Sequence, residues 1–181
     1  ETDVVSSSKN PALEKQTMFV IGLLKTSYND HESAISTYNQ LLARNKQDKE
    51  AYLKRGIAYV NLYKYNNAIG DFSRAIAVDG DYIEARLNRA KAYYKVETYK
   101  EALADFDKVV DVDESNREAL IERGQTKIAL SDFKGAIKDF DNLLEKNKHD
   151  KAAYSNRADA KAAMGDYEGA LFDYHIAIGM D

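Results

Sequence analysis

Residues 49–82 read KEAYLKRGIAYVNLYKYNNAIGDFSRAIAVDGDY, and the pattern of this stretch returns every 34 residues without insertion or deletion. Ala68 recurs as Ala34, Ala102, Ala136 and Ala170. Phe72 recurs as Tyr38, Phe106, Phe140 and Tyr174, and Gly56 as Gly22, Ala90, Gly124 and Ala158. A fixed period of this length marks an array of small units that stack on one another to bury a common core. Within the unit, apolar and small residues at 52, 56, 59 and 60, then at 65, 68, 69, 72, 75 and 76, follow the three-and-four spacing of a helical face, not the alternation of a strand. The spacing therefore predicts two helices per unit, with a turn near Leu62 to Lys64.

If the two helices are antiparallel about that turn, residues equidistant from it lie level. Gly56 and Ala68 are centred on residue 62, which predicts that these two small side chains face each other at the helix crossing. Arg55 and Asp71 are centred on residue 63, and the same pair recurs as Arg89 with Asp105, Arg123 with Asp139 and Arg157 with Asp173. The first unit has Ile21 and Thr37 and so lacks both partners together. Joint presence and joint loss predict an ion pair tying helix to helix, worth about 0–1 kcal/mol if exposed and more if well desolvated.

The chain has 181 residues, 44% of them hydrophobic and 31% charged, the proportions of an ordinary globular domain. A single proline suits long uninterrupted helices. The net charge of −4 arises from 30 acidic and 26 basic residues that are interspersed. With no basic block, nucleic acid is a poor candidate partner. The absence of cysteine excludes disulfides and thiolate metal sites and leaves the compartment open. No apolar run approaches the length of a membrane span, so direct membrane insertion is not expected. The first residue is Glu1 and not Met, which suggests a processed or trimmed piece.

Residues 1–11, with Ser6-Ser7-Ser8 and few large apolar side chains, read as a flexible tail, Pro11 standing at a helix entrance. Residues 12–181 read as one domain of five units, 15–48, 49–82, 83–116, 117–150 and 151–181. In the first unit Met18, Ile21, Gly22 and Leu24 are expected to point inward. Helix starts are signposted by Asp48, by Thr98 with Glu101, by Ser115 with Glu118 and by Asp150.

These residues resemble the tetratricopeptide repeat family over about 165 of the 181 positions. The family pattern of a bulky residue, a Gly or Ala four positions on, then aromatic, Ala, aromatic and Ala is met by Tyr52, Gly56, Tyr59, Ala68, Phe72 and Ala75. Two departures stand out. The proline usual near the end of each unit is replaced by Lys46, Gly80, Glu114 and Lys148, and the aromatic at Tyr59 becomes Lys25, Lys127 and Lys161. The resemblance implies an all-α, right-handed superhelical solenoid of antiparallel helix pairs. Its first helices would line a concave groove that holds a peptide or a partner's helix.

First-helix positions not assigned to the core fall at 53, 57, 60 and 61 of the second unit and their equivalents. The apolar candidates are Phe19, Leu23, Leu53, Ile57, Val60, Leu87, Tyr94, Ile121 and Ile128, and Asn61, Asn88, Lys91, Lys95 and Gln125 add polar handles. A row of large aliphatics with a few hydrogen-bonding groups reads as a partner site. The alternative is that these side chains pack against the neighbouring repeat. Some members of the family clamp the C-terminal carboxylate of heat-shock chaperones with Lys and Asn, then Asn, then Lys and Arg on successive first helices. Tyr154-Ser155-Asn156-Arg157 resembles the middle element, but Ile121 and Gln125 stand where Lys and Asn are needed, and no complete clamp is present.

Catalytic and metal chemistry finds little support. His31, His149 and His175 occupy three different places within their units, so stacking does not gather them. Asp111 to Glu122 imitates a calcium loop but has Asn116 where the turn needs glycine. No phosphate-binding glycine loop or nucleophile elbow occurs, and no cofactor is expected. Leu171, Ile178 and Met180 would lack a covering helix at the C-terminal end, so either the native chain continues or this end self-associates. The reading is a non-enzymatic adaptor or scaffold that binds a protein or peptide. The alternative is the docking or regulatory part of a larger enzyme, and a cell-envelope assembly factor is a third.

Overall fold

The computed structural model describes residues 11–180; the expected tail lies, Pro11 apart, outside the described residues. The described residues form ten α-helices and no strand. They fall into two compact units, residues 1–81 and 82–181. The first contains α1 (Pro11–Ser27), α2 (His31–Arg44), α3 (Lys49–Asn61) and α4 (Tyr65–Val78). The second contains α5 (Ile83–Lys95), α6 (Tyr99–Val112), α7 (Arg117–Ala129), α8 (Phe133–Lys146), α9 (Lys151–Met164) and α10 (Tyr167–Ile178). Each odd-numbered helix packs on the even-numbered one that follows it. Inside each unit, packing also steps along the chain, α2 on α3, then α6 on α7 and α8 on α9. No helix of the described residues is long and apolar enough to cross a membrane.

The turns inside the pairs share one backbone device. Asn29, Tyr63, Glu97, Ser131 and Gly165, spaced by the repeat, all take positive φ (60, 58, 61, 63 and 92°). Only at Gly165 is that conformation free of a Cβ penalty. Asp30, Asp132 and Asp166 follow as N-caps and accept from the backbone N–H three residues on. The loops between pairs share a second device. Asn45, Asp79, Asp113 and Asn147 end the even-numbered helices of the first four pairs and accept from the N–H two residues on, at 2.9–3.1 Å. This Asx turn shapes the loop where the family's proline is replaced.

Two of the four predicted helix starts differ from expectation. Asp48 and Asp150 cap α3 and α9 as expected, accepting from Ala51 and Ala153. The cap of α7, however, is Asn116 and not Ser115, whose N–H and hydroxyl are both held by Asp113. Thr98 occupies the cap position of α6 without capping it, because its hydroxyl donates to the Tyr93 carbonyl at 3.1 Å.

The core follows the register, with corrections. Ala68, Phe72 and Ala75 and their equivalents Ala102, Phe106, Val109, Ala136, Phe140 and Leu143 are buried. The space left by Gly56 is taken by the Phe72 ring and not by Ala68: a Cβ on Gly56 would stand 2.5 Å from that ring. Ile21 and Leu24, expected inward, are exposed. Ile21 stands where later units place Arg. Leu24 shares a register with Ala58, Ala92, Thr126 and Ala160, which are buried, and no described helix precedes α1.

Candidate functional site

All four predicted Arg–Asp pairs form, each as a two-pronged contact. Arg55 Nε and Nη2 donate to the two carboxylate oxygens of Asp71 at 2.6 Å each. Arg89 does the same to Asp105 at 2.6 and 2.8 Å, Arg123 to Asp139 at 2.9 and 2.6 Å, and Arg157 to Asp173 at 2.8 and 2.6 Å. The third prong joins neighbouring pairs. Nη1 of Arg55 reaches Asn39, that of Arg123 reaches Asp107 and that of Arg157 reaches Asp141. One guanidinium therefore binds its own second helix and the second helix before it, a use of the planar fork that lysine could not reproduce.

The lysines that replace the family's aromatic complete this arrangement. Lys127 Nζ is 2.8 Å from Asp139 and Lys161 Nζ is 2.7 Å from Asp173. In the first pair, Lys25 donates to Thr37 Oγ1 at 3.0 Å in place of the missing carboxylate. Burial works to raise the pKa of Asp173, but Arg157 and Lys161 outweigh it and hold the carboxyl below its ordinary range. Arginine planes also lie over aromatic rings, Arg157 over Tyr154 at 5.3 Å and Arg89 over Tyr93 at 5.7 Å. These charges are the structural frame.

The first-helix face is described one unit at a time. In residues 1–81, Phe19 is half-buried and stands edge-on to Tyr38 with ring centroids 6.0 Å apart. Leu23 is exposed, Ile57 and Val60 are half-buried and Asn61 is exposed. Leu53 is 0% exposed and offers no surface to a ligand. Enclosing a leucine side chain gains about 1.5–3 kcal/mol, which favours packing over display.

In residues 82–181, α7 lies beside both α5 and α9. The wall they form carries Leu87, Ile121 and Ile128, half-buried and packed against the core of α6 to α9. Tyr94 stands edge-on to Tyr99 at 5.4 Å. Lys91 pairs with Glu118 across α5 and α7, while Lys95 is exposed. Asn88 donates to the Glu84 carbonyl of its own helix at 2.8 Å. Gln125 donates to Asn156 Oδ1 at 2.7 Å, linking α7 to α9. Glu122 lies half-buried next to these groups, and burial raises its pKa, partly offset by Lys91 and Lys95 and reinforced by Glu118.

Sequence reasoning did not single out Glu118, Glu122 or Asn156 as members of this wall. Their signal was present: Glu118 and Gln125 share a helical face with Ile121 and Ile128, and Asn156 repeats the register of Asn88 and Glu122. Among the described residues, no three His, Cys, Asp or Glu side chains are gathered as a metal site would require.

Tandem antiparallel helix pairs on a 34-residue period, cross-linked by a repeating Arg–Asp frame and showing a mixed aliphatic and polar wall, define a helical-repeat protein. The tetratricopeptide repeat profile matches residues 28–82, 53–118 and 121–180, and the chain belongs to that family. No curated protein sequence matches it. Among solved structures, MamA superposes with a TM-score of 0.85 at 19% identity, covering 92% of this chain and 91% of that one. A MamA fragment from Desulfovibrio magneticus RS-1 gives 0.87 at 16% identity, covering 92% and 94%. YrrB, described as a TPR protein with an unusual peptide-binding site, gives 0.82 at 22% identity, covering 91% and 84%. At such identities the likeness establishes the all-α repeat fold. Family membership supports a protein-interaction module as the class of function.

Proposed function

We propose that this chain is an adaptor or scaffold that works by binding, and that it holds a peptide or helix of a partner protein against its first-helix face. The observation that carries the reading is the wall on α5, α7 and α9. There Ile121 and Ile128 keep part of their surface accessible, and Lys91, Gln125 and Asn156 supply hydrogen-bonding groups on the same side. An apolar strip with a few placed polar groups is what recognition of an extended or helical segment requires. The peptide-binding site named for YrrB is consistent with this use of the fold.

The test is capture of a binding peptide by the wild-type chain and by Lys91→Ala with Gln125→Ala. Both replaced side chains lie on the wall, and neither belongs to the buried core. Loss of capture with helical content unchanged supports the reading; undiminished capture moves the site elsewhere. Leu53 is unsuited to such a test because an Asp there would disrupt packing.

Self-association through the last pair is a second reading, favoured by the exposure of Leu171 (57%), Phe172 (65%) and Ile178 (69%). A sizing measurement in which Leu171→Lys with Ile178→Lys converts a concentration-dependent oligomer to monomer supports it. A wild-type chain that stays monomeric at high concentration argues against it.

A further inference from the structure

The charged groups on the wall of residues 82–181 are unequally provided for. Lys91 is paired with Glu118, and Lys95 is exposed, so water solvates its ammonium at little cost. Gln125 donates to Asn156, and the Asn156 amide donates to the Ala152 carbonyl at 2.7 Å. Glu122 is different. It is half-buried, and among the described residues its carboxylate makes no hydrogen bond or ion pair; Lys91 and Lys95 act on it only at a distance. Its helix neighbour one turn back is Glu118, of like charge, and Tyr94 of α5 is close enough to feel its field. A partly desolvated carboxylate without a direct donor costs free energy that a charge-assisted hydrogen bond would recover. The unmet demand on this face is therefore for a cationic donor that reaches the carboxylate directly; Tyr94 stands near it, and Leu87, Ile121 and Ile128 lie on the same wall.

We propose that the first-helix face of α5, α7 and α9 takes a partner segment carrying a Lys or Arg flanked by large aliphatic residues, the basic side chain reaching Glu122. The aliphatic residues would cover Ile121 and Ile128, and the stem of the basic side chain would lie along Tyr94, whose ring face favours a cation. This inference rests on the first-helix face being the binding face, and it adds the chemistry of the occupant. It also bears on the register position that holds Asn in the third and fifth pairs: the Asn88 and Asn156 amides each donate to a carbonyl of their own helix, which the Glu122 carboxylate cannot do.

The experiment is selection of a random-peptide display library on the whole chain, followed by affinity measurements with one selected synthetic peptide. Wild type, Glu122→Gln, and Lys91→Ala with Gln125→Ala are compared. Glu122→Gln preserves shape and removes only the charge, and far-UV circular dichroism confirms that each variant is folded. The proposal expects enrichment of Lys or Arg beside Leu, Ile or Met, and a loss of roughly tenfold or more in affinity for Glu122→Gln. It also expects that replacing the peptide's basic residue by Gln costs nothing further in that variant. Peptides that lack basic residues, or that bind Glu122→Gln unchanged, yet fail on Lys91→Ala with Gln125→Ala, overturn this inference and leave the binding face intact. Peptides indifferent to every variant, or no peptides at all, overturn both.

Discussion

Asp139→Asn is a perturbation that loads the frame between repeats directly. The Asp139 side chain is 2% exposed and holds Arg123 and Lys127, themselves 13% and 14% exposed. Removing its charge while keeping its shape leaves two shielded cations beside a half-exposed carboxylate, Asp107, that pairs with Arg123. Breaking a buried pair from one side costs about 3–5 kcal/mol, whereas an exposed pair is worth about 0–1 kcal/mol. For a chain of this size the larger figure lowers the melting temperature by roughly 6–20 °C. Thermal and urea unfolding followed by circular dichroism measure it. The matched control, Arg123→Met with Lys127→Met and Asp139→Leu, removes all three charges and is expected within about 2 kcal/mol of wild type, because the desolvation penalty leaves with the attraction. A loss below about 1 kcal/mol for Asp139→Asn would refute the assignment of this network as a desolvated frame.

Three further outcomes follow from named positions. Gly124→Ala drives a Cβ into the Phe140 ring and is expected to cost about 1–3 kcal/mol, while Gly70→Ala, mid-helix with open space around it, is expected to gain about 0.5–1 kcal/mol; urea midpoints compare the two. Glu97→Gly relieves the left-handed turn (φ 61°) at an exposed position, and a rise in melting temperature equivalent to about 0.5–1 kcal/mol is expected; no rise would mean that the turn is unstrained. Arg117 donates to Asp150 at 2.6 and 2.8 Å and holds that carboxyl below its ordinary pKa. The folded pKa is depressed, so the contribution exists above the unfolded value near 3.9 and is lost as pH falls through the folded one. Arg117→Met is therefore expected to destabilise at neutral pH and to match wild type in strong acid; an equal deficit at both would contradict the linkage.

The repeat, the helix pairs and the Arg–Asp frame were legible because each depends on residues that return together at a fixed register. Ile21 with Thr37 even announced where the frame is interrupted, though not that Lys25 would bond Thr37 instead. What depends on neighbours was harder to read. Leu53 and Leu87 share a register, yet Leu53 is enclosed and Leu87 is not. Leu24 looks like a core residue until its register is compared with Ala58 and Ala92. The Asx turns at Asn45, Asp79, Asp113 and Asn147 carried a clear signal, a short polar acceptor recurring one residue before the missing proline. In the wall, the aliphatic members stood out from spacing, but the state of Glu122 could not, because it depends on what Lys91 does with Glu118.

The central claim is that a partner segment lies on the first helices. Amide chemical-shift mapping of the whole chain with a selected peptide tests it most directly. The account predicts perturbations concentrated at Lys91, Ile121, Glu122, Gln125 and Asn156. Perturbations confined to the second helices, or to Leu171, Phe172 and Ile178 of the last pair, would contradict it.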